Sequence, residues 1–469
     1  MFDSNSVLGD FSTSKPLAIT AGTLGSSQFK SDYGIRYAYL AGSMYKGIGS
    51  ADLVIAMGKA GLLGYLGTGG MKLAQIESSI NKIQSSLTDN QAYGLNLLYN
   101  PTLPDYEMLL VNLYLQHKIR HIEAAAYMRI SPGLVRFRLN GLHRNKAGQV
   151  ETQHRILAKV SRPEVAEAFM QPAPQAIVQQ LVASQQITHT QAELSQYVPI
   201  SDDICVEADS GGHTDQGIAY TLMPAMQFLR DQMMAKYRYR TPIRIGAAGG
   251  IGTPQAAAAA FILGADFILT GSINQCTVEA DTSDAVKNLL QAINVQDTDY
   301  APAGDMFELG AKVQVLKKGV FFPARANKLY SLYQQYDALE SLDGKTQHLL
   351  QEKFFKRSFA DVWAETKAYY LKANPQEIEQ AERFPKHKMA LVFKWYFIHS
   401  NRLAMQGSDE QKVDYQVHTG PALGAFNQWV KGTELEHWQK RHVAEIAEKI
   451  MHGTAEVLSN RFRQMVARH

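Results

Sequence analysis

Residues 243–272, IRIGAAGGIGTPQAAAAAFILGADFILTGS, hold a spacing that could bind a phosphate. A strand pattern runs into Gly249-Gly250, a helix pattern opens at Pro254, and a second strand pattern ends at Gly271-Ser272. A phosphate needs close backbone approach, which glycine permits, and free N–H donors at a helix start. Gly249, Gly250, Gly271 and Ser272 are therefore candidate phosphate ligands. Tight strand-to-helix turns also use glycine, and that plainer reading stands beside the first. A dinucleotide fingerprint ranks below both, because the spacing is not G-x-G-x-x-G and no early strand–helix–strand unit carries it.

A second segment, VEADSGGHTD, places His213 behind Gly211 and Gly212, directly after another strand pattern. The glycines let the backbone approach a ligand, and an imidazole titrates near neutrality, as a proton donor should. The alternative is an ordinary loop histidine, one of 14 in the chain. No H-E-x-x-H spacing or carboxylate pair surrounds it, so no metal site is expected. Lys159, closing the pattern ILAKVS, could stabilise an anion, and Asn96 in GLNLL could bond polar ring edges. Lys159 could equally be only solvated. Cys276 reads as a packing residue.

Eight short apolar, β-branched runs position these residues: 36–41, 61–66, 92–98, 119–125, 155–161, 204–208, 243–248 and 267–271. Helix patterns at 50–59, 73–87, 105–118, 163–169 and 254–263 separate several of them. Strand alternating with helix gives an α/β fold with a parallel sheet, and eight units predict a TIM (β/α)8 barrel. An open doubly wound sheet is the alternative. In a barrel the site lies at the carboxyl ends of the strands, with phosphate commonly held after strands seven and eight. The glycine-bearing strands are the seventh and eighth of this series.

Beyond Gly310 the pattern turns helical and aromatic, in FFPARANKLYSLYQQY, EKFFKRSFADVWAETKAYY and LVFKWYFIHSNRLA. Residues 1–310 are expected to form the barrel, 311–420 a helical insertion domain near the C-terminus, and 421–469 a helical return to the barrel. The stretch HTGPALGAFNQWVKG reads as a Gly/Pro-rich connection, and 435–469 as a long amphipathic helix. Residues 311–469 hold 24 Lys and Arg against 17 Asp and Glu. Lys317, Lys318, Arg325 and Lys328 form one basic cluster, and Lys386, Lys388, Lys394 and Arg402 another.

Composition excludes several classes. Apolar residues at 45% and charged residues at 19% suit a soluble globular protein. A formal charge of +3 gives no bulk argument for nucleic acid, and two cysteines rule out a disulfide scaffold. No secretory signal or membrane span is visible, so a cytoplasmic protein is expected.

The residues together resemble the nitronate monooxygenase-like barrels that bind FMN, and more closely the trans-acting enoyl reductases of polyketide and polyunsaturated fatty acid synthases. The likeness rests on YGIRYAYLAGSMYKGI, GKAGLLGYLGTGG, GLNLL, VEADSGGHTD, the glycine-rich segment through SINQCTVEADTSD, KKGVFFPARANKLY, FKWYFIHSNRLA and GPALGAFNQWVKG. It implies that Ala41, Gly42, Ser43 and Met44 lie against the flavin ring, with Gly211 and Gly212 beside the cofactor. Asn96 and Lys159 would bond the ring and ribityl chain, and Gly249, Gly250, Gly271 and Ser272 the phosphate. His213 matches the active-site histidine. The implied reaction passes hydride from NADPH or NADH through FMN to a 2-enoyl thioester on an acyl carrier protein. Partners would be synthase modules, and a homodimer is possible. Simple nitronate monooxygenases carry Ala-Pro-Met in the first loop and Glu-Ala-Gly-Gly-His in the sixth. Here Ser43 precedes Met44, and Asp209-Ser210 stand before the Gly-Gly-His, which favours the synthase branch. A flavin oxidase of the nitronate monooxygenase type and a non-catalytic synthase docking subunit are the alternatives.

Overall fold

The strand runs have almost no polar face, and such a strand must be covered on both sides. The computed structural model describes residues 18–99 and 104–466 and shows how that cover is made. Strands β1 Tyr39–Ala41, β2 Leu63–Leu66, β3 Gly94–Leu98, β4 His121–Ala125, β5 Arg155–Val160, β6 Asp203–Glu207, β7 Arg244–Ala248 and β8 Ile268–Thr270 form a closed parallel barrel in chain order. The seam pairs Tyr39 with Ile268 and Ala41 with Thr270, which settles the barrel over the open sheet. Tyr65, Leu157, Cys205, Phe267 and Leu269 belong to one buried cluster of the barrel strands, and helices pack outside.

The expected helices are present within a few residues at each end. Others were not expected, among them Ser27–Tyr33, Gln175–Ala183 and Ala219–Tyr237. The last helix, Val443–Val466, packs along Pro254–Ile262, with Thr454 Oγ1 donating to the Pro254 carbonyl at 3.3 Å. It begins later than expected, because residues 434–440 form short 3-10 turns. Among the described residues no helix is long and apolar enough to cross a membrane.

Between β8 and that helix the chain builds a second core. Phe307, Phe322, Leu329, Val362, Phe393 and Tyr396 lie in it, together with Ala301 and Ala303, which precede residue 310. Two strands here were not anticipated: β9 Thr298–Pro302 and β10 Lys312–Leu316, an antiparallel pair. The helical aromatic pattern just beyond masked them. The expected connection at 418–432 is instead a buried turn followed by helix Pro421–Trp429.

The barrel floor is held by ions. Helix Ser27–Tyr33 brings Tyr33, whose hydroxyl donates to Asp203 Oδ2 at 2.9 Å, and Asp32, which accepts from Arg244 Nη1 at 2.7 Å. Arg244 also grips Asp203 through Nε at 2.5 Å and Nη2 at 2.9 Å, and both side chains are buried. Arg244→Leu would strand those carboxylates, so unfolding stability should fall by about 3–5 kcal/mol, read from denaturant titration.

Candidate active site

Each barrel strand hands its last residues to the carboxyl-end mouth. Asn96 and Glu123 are opposite one another in the β3–β4 register, and both are buried. Glu123 Oε1 accepts from the Ser43 hydroxyl at 2.6 Å and Oε2 from the Ser43 backbone N–H at 3.0 Å. Asn96 Nδ2 donates to the Glu123 carbonyl at 3.1 Å, and the Asn96 carbonyl accepts from Thr68 and Tyr114. Lys159 Nζ stands 3.6 Å from Glu123 and 3.4 Å from Glu207. Burial alone would lower that ammonium, but the two carboxylates outweigh it and hold it above its usual value. Lys159 is thus an ion-paired residue just inside the end of β5, and the merely solvated alternative is excluded.

The first loop is seated by backbone. Ala41 ends β1, the Gly42 N–H donates to the Thr270 carbonyl at 2.9 Å, and Met44 packs against the second loop at Gly67. Two strands along the ring from β1, after β7, Gly249 and Gly250 take φ of +85° and +71°, conformations that L side chains rarely adopt. A Cβ built at Gly250 or at Gly271 would meet nothing within 4 Å, so both backbones border open space. At Gly211 a Cβ would fall 2.5 Å from the Thr419 carbonyl carbon, and at Gly252 2.1 Å from the Ala422 oxygen. The segment after His418 therefore lies across the sixth and seventh loops. It is tied to the eighth loop by the Gly420 N–H, which donates to Ser272 Oγ at 3.2 Å.

Three buried oxygens near this crossing, Thr419 Oγ1, Gln314 Oε1 and Gln275 Oε1, have no hydrogen-bond partner among the described residues. Open backbone at Gly250 and Gly271, with the Thr419 hydroxyl free to donate, suits a phosphorylated ligand, whereas the two glutamine oxygens can only accept.

His213 is not in a loop. Gly212–His213 is a short strand whose residues pair with Gln314 and Val313 of β10. Its Nε2–H donates to Asp305 Oδ1 at 2.9 Å. Burial acts to lower the imidazole, yet the Asp305 hydrogen bond and charge prevail and raise it. The ring of His418 stands edge-on at 6.4 Å. Burial, and then the charge of His213, push His418 down to about 4. Asp209, just before the Gly-Gly-His, accepts from Thr214 at 2.7 Å and from Tyr300 of β9.

Ser43, Asn96 and Lys159 thus meet through Glu123, and Gly211 and Ser272 meet through Gly420. Sequence reasoning missed Glu123, Asp305 and Thr419. Glu123 had a signal, a lone acidic residue inside the apolar run HIEAAA; the other two had none. In the two basic clusters most cations have a carboxylate partner. Lys318, Arg325, Lys386, Lys388 and Lys394 are paired with Asp297, Asp414, Asp337, Glu340 and Glu308. Lys317, Lys328 and Arg402 have no carboxylate within 4 Å among the described residues.

Comparison with known proteins agrees with this architecture. Residues 27–305 match the family model for nitronate monooxygenase, and residues 336–415 that for the inserted helical domain of acyl-carrier-protein S-malonyltransferase. The enoyl reductase domain of MlnA, from the macrolactin cluster of Bacillus amyloliquefaciens, superposes with a TM-score of 0.91 at 47% identity, covering 94% of this chain and 99% of that one. Polyketide biosynthesis protein PksE of Bacillus subtilis is 58% identical over 95% of this chain and 58% of its own length. A polyunsaturated fatty acid synthase component of a Thraustochytrium species is 44% identical over 89% of this chain and 28% of its own length. The chain therefore spans little more than half of the first of these two relatives and about a quarter of the second.

Glu123→Gln keeps the shape but loses the charge that Ser43 and Lys159 answer. Its cost should be about 1–3 kcal/mol of unfolding free energy, measured by denaturant titration.

Proposed function

Because the chain belongs to the nitronate monooxygenase family, we propose that it is an FMN-dependent enoyl reductase acting in trans on a carrier-bound 2-enoyl thioester during polyketide or polyunsaturated fatty acid synthesis. The observation that carries the reading is the end-to-end match to the enoyl reductase domain of MlnA. A bound flavin would supply the hydride chemistry between NADPH or NADH and the β-carbon of the enoyl group.

The chain's residues supply binding, charge and the proton. Gly249, Gly250, Gly271 and Ser272 hold the phosphate through backbone and hydroxyl donors, with the unpartnered Thr419 oxygen in the same crossing. Ala41, Gly42, Ser43 and Met44 present backbone to the ring, and Gly211 and Gly212 let the sixth loop approach it. Asn96 orients the polar edge. Lys159 carries a positive charge already fixed by two carboxylates and would offer it to a bound flavin without reorganising. His213, whose imidazolium form Asp305 favours, gives a proton to the α-carbon of the thioester. An acidic carrier protein would meet Lys317, Lys328 and Arg402, the named cations not already paired.

Two measurements test the reading. Enoyl-carrier-protein should drive NAD(P)H oxidation under nitrogen as fast as in air; turnover only in air would make the protein an oxidase, and a flavin-free protein without turnover would make it a docking subunit. Gly271→Asp should fold normally, since φ there is −125° and the space is open, yet lose its flavin through charge repulsion. Full flavin occupancy in that variant, read from its visible absorbance, would move the phosphate site elsewhere.

A further inference from the structure

The turn joining β9 to β10 belongs to two bodies at once. At its strands it is part of the barrel mouth, through the pairing of β10 with Gly212–His213. At its tip it is part of the helical insertion. Phe307 is buried against Tyr330, Tyr333, Phe393 and Phe397. A Cβ at Gly304 would stand 2.8 Å from Phe397 Cβ, so the backbone lies on helix Pro385–Gln406. Glu308 accepts from Lys394 at 2.6 Å and from His387 at 2.9 Å.

Between these anchors Asp305 reaches His213. Its Oδ1 takes the His213 Nε2–H at 2.9 Å and the Met306 backbone N–H at 3.1 Å. Gly304, Phe307 and Glu308 already secure the turn, so the fold does not require a carboxylate at position 305. Other titratable groups also act on His213. Glu207 on β6 favours the imidazolium, Lys159 on β5 opposes it, and His418 beside it is held neutral by burial.

We propose that Asp305 is a positioning residue for His213, carried to the site by the insertion, which fixes the imidazole through Nε2 and leaves Nδ1 as the nitrogen that gives up the proton. The proposal rests on the reading of His213 as proton donor. In that step hydride from the reduced flavin adds to the β-carbon, and the electron pair displaced from the double bond forms the new C–H bond at the α-carbon. The Nδ1–H bond breaks, and the imidazole remains as the neutral Nε2–H form, still bonded to Asp305. A proton donor is lost as pH rises through its pKa. A partner that raises the pKa therefore extends activity to higher pH, and its removal shortens that range.

The test is D305N in the holoenzyme, with enoyl thioester reduction followed under nitrogen across the neutral and alkaline range. The alkaline limb should move to lower pH, with the rate beyond neutrality falling about fivefold, as for a half-exposed pair worth up to about 1 kcal/mol. Reduction of the flavin by NAD(P)H should be unchanged. In a His213→Ala background, where the enoyl step should already be slowed about 10²–10⁴-fold, D305N should add nothing, whereas a structural role would cost activity in both backgrounds. An unmoved limb in D305N, with His213→Ala slowed, would overturn the role of Asp305 alone. A His213→Ala enzyme as fast as the wild type would overturn the proton-donor reading and this proposal with it.

Discussion

A carboxylate with no access to water must be answered by donors, and at Glu123 those answers organise the barrel mouth. Its two oxygens are taken by the Ser43 N–H and hydroxyl, so the first loop cannot move without stranding a buried charge. Its charge holds Lys159, which in turn holds Glu207, and its backbone carbonyl holds Asn96. The first loop and strands β3, β4, β5 and β6 thus meet around one side chain. Deleting any of the donors costs more than the lost hydrogen bond, because the penalty is the unpaired charge.

The other half of the mouth is built by chain that returns from far away. Thr419 and Gly420 lie against Gly211 and Ser272, and the β9–β10 hairpin extends the sixth loop by pairing with His213. The helical insertion is therefore continuous with the site. Its aromatic core fixes the hairpin turn, and the segment that leaves it covers the glycine loops. A barrel domain cut off before the hairpin would lack both walls.

Charge is used locally throughout. Residues beyond 310 hold a surplus of Lys and Arg, but most of the cations in its two clusters are consumed by nearby carboxylates. A buried ion cluster, Arg244 with Asp32 and Asp203, lies at the barrel floor, opposite the mouth. Such pairs fix orientation more than they add stability, since desolvation offsets most of their attraction.

By itself the sequence determined the eight strands, their alternation with helices and the glycine loops of the candidate phosphate site, while closure into a barrel was decided by the seam between the first and last strands. These are local properties: apolar runs, glycine at turns, and proline at a helix start act over a few residues and can be read in order. Glu123 was nearly legible, as one acid in an apolar run, but its partners Ser43 and Lys159 stand far from it along the chain. Asp305, Thr419 and Gln314 left no local mark, because their roles come from a hairpin and a returning segment that meet His213 and Ser272 only in three dimensions. The basic clusters show the same limit. Counting charges along the chain shows how many there are, and only the tertiary structure decides which remain unpaired.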